Sequence, residues 1–269
     1  MTGWLSVRQG DAPLIISIPH AGTTVPDDIS GLISLDLARR DADHHVDRLY
    51  AIAADLHATI IHSRISRTVI DLNRDPSGQS LYPGQATTGL CPDLTFDGEP
   101  LYTAGAEPDA AEIDRRRATY FDPYHAALRE QVARLRAQHP AIVLYDAHSI
   151  RSHVPRLFEG ELPQFNIGSY NDTSCDHTLT DAIAASCAHD SLAVNGRFRG
   201  GWITRHYGDP SRGIHAVQME LAIRGYADEE GADEEGAWPP AWDATRAAPM
   251  QAKLHIILNT CLDFAKDQS

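Results

Sequence analysis

The chain has 269 residues, 42% of them hydrophobic, and a net charge of −14 from 23 basic and 37 acidic residues. This length and composition allow one large globular domain with a buried core and exclude a disordered chain. The acidic balance argues against nucleic acid or an anionic membrane as partner, because both need a basic face to displace counterions or to meet acidic lipid.

Residues 13–19 read as a central strand, L-I-I-S-I, that runs into P-H-A-G. In an open α/β sheet, ligands bind outside the carboxyl ends of strands, which makes His20 a candidate first ligand of a catalytic metal. The stretch 34–58 predicts a long helix, with Val46, Leu49, Ala53 and Leu56 at the three-and-four spacing of one buried face. Asp41 and His45 stand four apart on it and share a face. Residues 59–63 and 68–71 read as short strands, the second leading directly into L-N-R-D. Five prolines between 76 and 108, with little periodicity, predict a long loop of the kind that forms lids or binding segments. A helix is expected over 110–138, kinked or restarted at Pro123.

Residues 141–145, A-I-V-L-Y, form the clearest buried strand and emit D-A-H-S, so His148 repeats the arrangement of His20. If the two strands are parallel, both histidines leave the same edge of the sheet. A strand is expected at 165–170 and a helix at 176–188. Residues 195–213 hold four arginines and five glycines: glycine lets the backbone come close to a ligand, and arginine meets carboxylates. Residues 214–223 read as a strand with Glu220 near its middle. The tandem acidic repeat within 227–238 reads as a solvated loop. A last helix over 245–266 should pack along Leu254, Ile257, Leu258, Cys261, Leu262 and Phe264. Strands alternating with helices, and no compositional break, predict a single three-layer α/β/α domain over 1–269 with a mixed, largely parallel sheet.

No apolar run approaches the roughly 20 residues of a membrane span, and no signal-like segment opens the chain, so the expected location is the cytoplasm. Cys91, Cys175, Cys187 and Cys261 form no C-x-x-C pair, which fits reduced thiols and offers no thiolate metal site. A catalytic zinc site needs about three His or carboxylate ligands, an open position for water and a nearby base. His20, His148 and a residue of the Asp41 to His45 turn would supply the ligands, with Glu220 as the base.

The stretch R-T-V-I-D-L-N-R, from Arg67 to Arg74, resembles the R-x-x-x-D-L-N-R motif of the aspartoacylase and succinylglutamate desuccinylase group within the zinc carboxypeptidase superfamily. That resemblance implies that Asn73 and Arg74 bind a substrate carboxylate and that Arg67 helps to polarise the scissile carbonyl. A closer resemblance rests on S-I-P-H-A-G at 17–22, D-A-D-H-H-V-D-R-L-Y at 41–50, S-R-T-V-I-D-L-N-R-D at 66–75, D-A-H-S at 146–149, G-R-F-R-G-G-W-I-T-R-H-Y-G-D-P at 196–210 and V-Q-M-E-L at 217–221. In these five blocks and the short strand motif that follows them, nearly the whole chain is similar to the N-formylglutamate deformylase (amidohydrolase) family of histidine degradation. The resemblance implies a carboxypeptidase-like fold, one divalent ion, expected to be zinc, and hydrolysis of N-formylglutamate to formate and glutamate.

The family usually shows D-T-D-W-H-V-D where this chain has Ala42 and His44, and the carboxypeptidase pattern H-x-x-E is absent because Thr23 follows His20 by three. The middle ligand is therefore expected from Asp41 or His45. A small dicarboxylate substrate needs two cationic anchors: Arg74 with Asn73 for one, and Arg199 or Arg205 of the Gly-rich loop for the other. A deacylase of other N-acyl amino acids would use the same site with a roomier acyl pocket. A non-catalytic binding protein for acidic amino acids would not need both strand-end histidines and Glu220. A serine hydrolase is disfavoured because no G-x-S-x-G elbow occurs.

Overall fold

Strand β2 (Leu14–Ile18) is buried on both faces, and its alternate side chains feed two separate cores. Leu14, Ile16 and Ile18 point into one, Ile15 into the other. A computed structural model describes residues 3–81 and 83–268 and places β2 in a seven-stranded sheet. The other strands are β1 (Leu5–Arg8), β3 (Thr59–Ser63), β4 (Ile142–Ile150), β5 (Phe165–Gly168), β6 (Leu192–Val194) and β7 (Ile214–Ala222). Their order is β1-β3-β2-β4-β7-β5-β6. The central run β3-β2-β4-β7 is parallel, as is the β5/β6 pair, while β1 and β5 join β3 and β7 antiparallel.

Helices cover both faces. They are α1 (Leu35–Arg40), α2 (Val46–Leu49), α3 (Ala110–Arg116), α4 (Asp122–Arg136), α5 (His177–Ser186), α6 (Trp202–Tyr207), α7 (Glu229–Glu235) and α8 (Ala244–Asp267). On one side α2, α5 and α8 pack on Ile16, Val143, Tyr145, Val217 and Met219. On the other, α4 and α6 pack on Ile15, Ile61, Leu144 and Ala216. This is the expected three-layer α/β/α arrangement with a mixed, largely parallel sheet. No described helix is long and apolar enough to cross a membrane.

Four expectations change in detail. The helix expected over 34–58 breaks into α1, a turn, α2 and the 3₁₀ segment Tyr50–Ala54. In that turn Asp43 N–H donates to the carbonyl of His20 (3.0 Å) and His45 takes a left-handed φ of 66°, so tertiary pairing overrides the helical period. Residues 67–69 form a turn and 70–71 lie outside any strand, in place of the strand expected over 68–71. The Ser66 hydroxyl accepts from Thr68 N (3.2 Å) and the Asp71 carboxylate from Asn73 N (2.9 Å), local bonds that compete with a ladder. The D-A-H-S stretch lies inside β4, not beyond its end. The acidic repeat forms α7, and its Glu229 is buried, accepting from Ser152 N (2.6 Å) and Ser152 Oγ (2.7 Å). The side chains of 233–235, also part of that expected loop, lie outside the described residues. Pro123 stands at the start of α4, as expected, after a π-helical turn Arg117–Phe121.

Helix α8 supplies a direct test of this packing. Leu258 is fully buried, so Leu258→Ala should cost about 2–5 kcal/mol in urea denaturation. Ile256 on the same helix is 55% exposed, and Ile256→Ala should change stability by no more than about 0.5 kcal/mol.

Candidate active site

Strand periodicity brings a row of polar side chains to one face of the sheet. Asp146 and His148 follow Leu144 at spacing two on β4, and Gln218 and Glu220 follow Ala216 on β7, so all four share the face that carries α4 and α6. The parallel register sets Ser17 opposite Asp146, Asp146 opposite Gln218, and His148 opposite Glu220. Because β2, β4 and β7 run in the same direction, these residues gather near the carboxyl ends of the central strands.

His20 leaves the end of β2, and the turn after α1 brings Asp43 to meet it. Asp43 Oδ2 lies 3.0 Å from His148 Nδ1 and 3.9 Å from His20 Nδ1. His20, Asp43 and His148 are all buried, and their ligand atoms lie within 4.8 Å of one another, a set able to hold a metal ion. The opposite nitrogen of each imidazole is taken. His20 Nε2 is 2.7 Å from Asp71 Oδ1, and His148 Nε2 is 2.9 Å from Asp146 Oδ2. A carboxylate behind each ring fixes its tautomer and orientation, the arrangement found behind metal-bound histidines. His20 Nδ1 is buried without a hydrogen-bond partner, an orphaned lone pair that a cation would satisfy.

The backing carboxylates are themselves held. Asp146 accepts from Ser17 Oγ (2.9 Å) and Asn73 Nδ2 (2.8 Å); Asp71 accepts from Arg67 Nη2 (2.7 Å). Arg67 also reaches Asp43 Oδ1 at 3.4 Å.

Electrostatics follow from this crowding. Burial and the Arg67 charge lower the pKa of His20, which favours the neutral imidazole. Burial alone would raise Asp43 and Asp71. His148, His20 and Arg67 outweigh it at Asp43, and Arg74, His20 and Arg67 at Asp71, which lies well below the usual carboxylate range. For His148, the Asp146 and Asp43 carboxylates outweigh burial and hold its pKa well above the usual value. Burial pushes Glu220 up to about 8.

His20, His148 and Glu220 line a pocket of about 570 Å³, counting the part open to solvent. Glu220 and Gln218 stand on its sheet side, with Gln218 Nε2 donating to Glu220 Oε2 (3.0 Å). Arg67, Arg74 and Arg197 are its cations; Phe96, Ile150, Leu157 and Phe198 are its apolar wall. The Gly-rich loop closes one side. Gly201 N–H donates to Gln218 Oε1 (2.8 Å), and a Cβ at Gly201 would stand 2.4 Å from Asn73 Nδ2, so only glycine fits there.

The structure therefore brings together His20, His148, Arg67, Asn73, Arg74 and Glu220, and separates four other expected site residues. Asp41 turns away from the two histidines: its Oδ2 accepts from Phe96 N (2.6 Å) and its Oδ1 lies 3.6 Å from Arg151. His45 also turns away, its Nε2 donating to the carbonyl of Pro240 (2.7 Å) and its ring packing 5.6 Å from Trp242. Asp43 occupies the position between the histidines. Arg199 is exposed and Arg205 binds the carbonyls of Gly200 and Leu81 (2.8 Å each); neither lines the pocket, whereas Arg197 does. Asn73 is committed to the protein, donating to Asp146 and accepting from Ile203 N at 2.7 Å. Asp146 was not singled out in the sequence; its spacing of two from His148 within a strand is the signal that could have found it. Asp43 carried no such signal, because its position depends on the broken helix.

A family model described as N-formylglutamate amidohydrolase matches residues 12–227. An N-formylglutamate deformylase of Pseudomonas putida is 48% identical over 98% of this chain and 97% of its own length. One from Pseudomonas aeruginosa is 43% identical over 98% of each. Among solved structures, an N-formylglutamate amidohydrolase from Ralstonia eutropha JMP134 has the same fold, with a TM-score of 0.80 at 22% identity over 99% of both chains. With the family model spanning most of the sequence and two relatives matching end to end, the chain belongs to the N-formylglutamate amidohydrolase family.

Proposed function

We propose that the chain hydrolyses N-formyl-L-glutamate to formate and L-glutamate at the pocket lined by His20, His148, Arg67 and Glu220, with Asp43 set against the two histidines. The observation that carries this reading is the convergence of His20 Nδ1, His148 Nδ1 and Asp43 Oδ2, with carboxylates behind both rings, next to a buried Glu220. The full-length kinship with proteins named N-formylglutamate deformylase supplies the substrate. These three atoms would hold one divalent ion, and their two nitrogens and one oxygen suit zinc. When bound, such an ion supplies Lewis acidity towards a water and towards the formyl oxygen.

The chain's own groups do the rest. Glu220 takes a proton from the attacking water as the C–O bond forms and delivers it to the amine nitrogen as the C–N bond breaks, acting as base and then acid. Its raised pKa favours the second half of that task. Arg67 lines the pocket with His20 and Glu220, so its charge stands by the place where the oxyanion develops. Arg74 serves as an anchor for a substrate carboxylate and Asn73 keeps the Asp146–His148 pair in place. The four cysteines are free, in line with a reducing cytoplasm.

Formate release from N-formyl-L-glutamate, beside its acetyl and succinyl analogues, tests the substrate: turnover of the acyl analogues with no formate from the formyl compound would reject the reading. Glu220→Gln should lower kcat at least about a hundredfold, the scale of a general base, and near-normal turnover would reject that role. By elemental analysis, Asp43→Ala should lose the bound metal while Asp41→Asn and His45→Gln keep it. The reverse pattern would restore the original expectation. Arg74→Lys keeps the charge and loses the fork, so an unchanged KM would reject a bidentate contact.

A further inference from the structure

A glutamyl substrate carries two carboxylates, and Arg74 accounts for one. The arginines expected for the other, Arg199 and Arg205, do not line the pocket. We propose that Arg197 is the specificity-determining anchor that reads the distal, side-chain carboxylate; this rests on the reading of the pocket as the substrate site.

The geometry that carries it is shared between Arg74 and Arg197. Arg74 Nε lies 3.6 Å from Asp71 Oδ2, and Asp71 Oδ1 lies 2.7 Å from His20 Nε2, so Arg74 belongs to the metal-binding end of the pocket. Arg197 binds two carbonyls of the pocket wall: Nε donates to Leu157 O (2.7 Å) and Nη2 to Ala86 O (2.9 Å). Arg74 in turn donates through Nε to Thr88 O (3.2 Å) and through Nη2 to Thr88 Oγ1 (3.1 Å). The two guanidinium groups thus grip one short strap, residues 86–88, and that strap lines the pocket with them.

Two residues of extended chain span at most about 7 Å, so the carbonyls held by the two arginines stand no further apart than roughly that distance. The carboxyl carbons of glutamate are separated by four bonds of about 1.5 Å, roughly 5 Å when extended. Two guanidinium groups tied to one three-residue strap in the same pocket are thereby neighbours on its wall, the arrangement that a short dicarboxylate requires. Neutral carbonyls accept from both, while Arg74 also stands 3.6 Å from the Asp71 carboxylate; a carboxylate is a stronger acceptor for a guanidinium than a neutral carbonyl, about twice as strong. Substrate carboxylates would compete for these donors. Phe198 and Leu157, which line the same pocket, would supply apolar contact for the methylene groups.

N-formyl-L-norvaline replaces the distal carboxylate with a methyl group and provides the test, beside N-formyl-L-glutamate. The parent enzyme should prefer the glutamate compound by at least about a hundredfold in kcat/KM, since a site built for a charged group rejects the analogue without it. Arg197→Met should lower kcat/KM for N-formyl-L-glutamate about thirtyfold or more, mainly through KM, and change that for N-formyl-L-norvaline by no more than about threefold. Arg197→Lys should regain part of the preference. Equal losses on both compounds would assign Arg197 a purely structural role as a clasp on the strap and overturn the proposal, as would an unchanged KM for N-formyl-L-glutamate. A parent enzyme with no preference between the two overturns it as well. Release of formate from neither compound by the parent contradicts the activity itself, and with it the anchor that depends on it.

Discussion

Asp43, Asp71, Asp146 and Glu220 bring four carboxyl groups into the buried end of one sheet, and their mutual charge is the constraint on which the site depends. Uncompensated buried carboxylates are costly, and one remedy is a raised pKa, which Glu220 shows. The others are held by opposite charge. Arg67 bridges Asp43 and Asp71, Arg74 stands 3.6 Å from Asp71, and His148 lies between Asp43 and Asp146. A divalent ion at His20, Asp43 and His148 would complete this balance.

The same constraint explains the local folding. Asp43 reaches the two histidines only because α1 stops at Arg40 and the chain turns back, tied by Asp43 N–H to the carbonyl of His20. Asp71 reaches His20 because residues 67–69 turn rather than extend. Each local departure from regular structure delivers a charged group to the site. The layers behind it are ordinary: alternation on β2, β4 and β7 sends apolar residues to two cores, and the same alternation sends Ser17, Asp146, His148, Gln218 and Glu220 to one face.

Much of this was legible in the sequence. Period-two and apolar runs located β2, β3, β4 and β7, the spacing along Leu254, Ile257, Leu258 and Cys261 located α8, and His20 and His148, one after β2 and one inside β4, pointed to one edge of the sheet. Asp43 was hidden because the helical reading of 34–58 treated Asp41 and His45 as the residues sharing a face. Periodicity reports local conformation and carries no information about a turn fixed by a distant carbonyl. Arg197, Arg199 and Arg205 were equivalent members of a Gly-rich loop by composition, and only the packing of that loop against 86–88 and Leu157 separates them. The acidic repeat misled for a related reason: a charge run reads as solvated, yet Glu229 is buried as the acceptor for Ser152.

The central claim is that the two imidazoles present their Nδ1 atoms, with Nε2 committed to Asp71 and Asp146, and that Asp43 completes the set. Crystallographic anomalous scattering from the zinc-loaded enzyme tests it most directly. The account predicts a single peak bonded to His20 Nδ1, His148 Nδ1 and an Asp43 carboxylate oxygen. A peak bonded to Asp41 or His45, or to the Nε2 atoms, would contradict it.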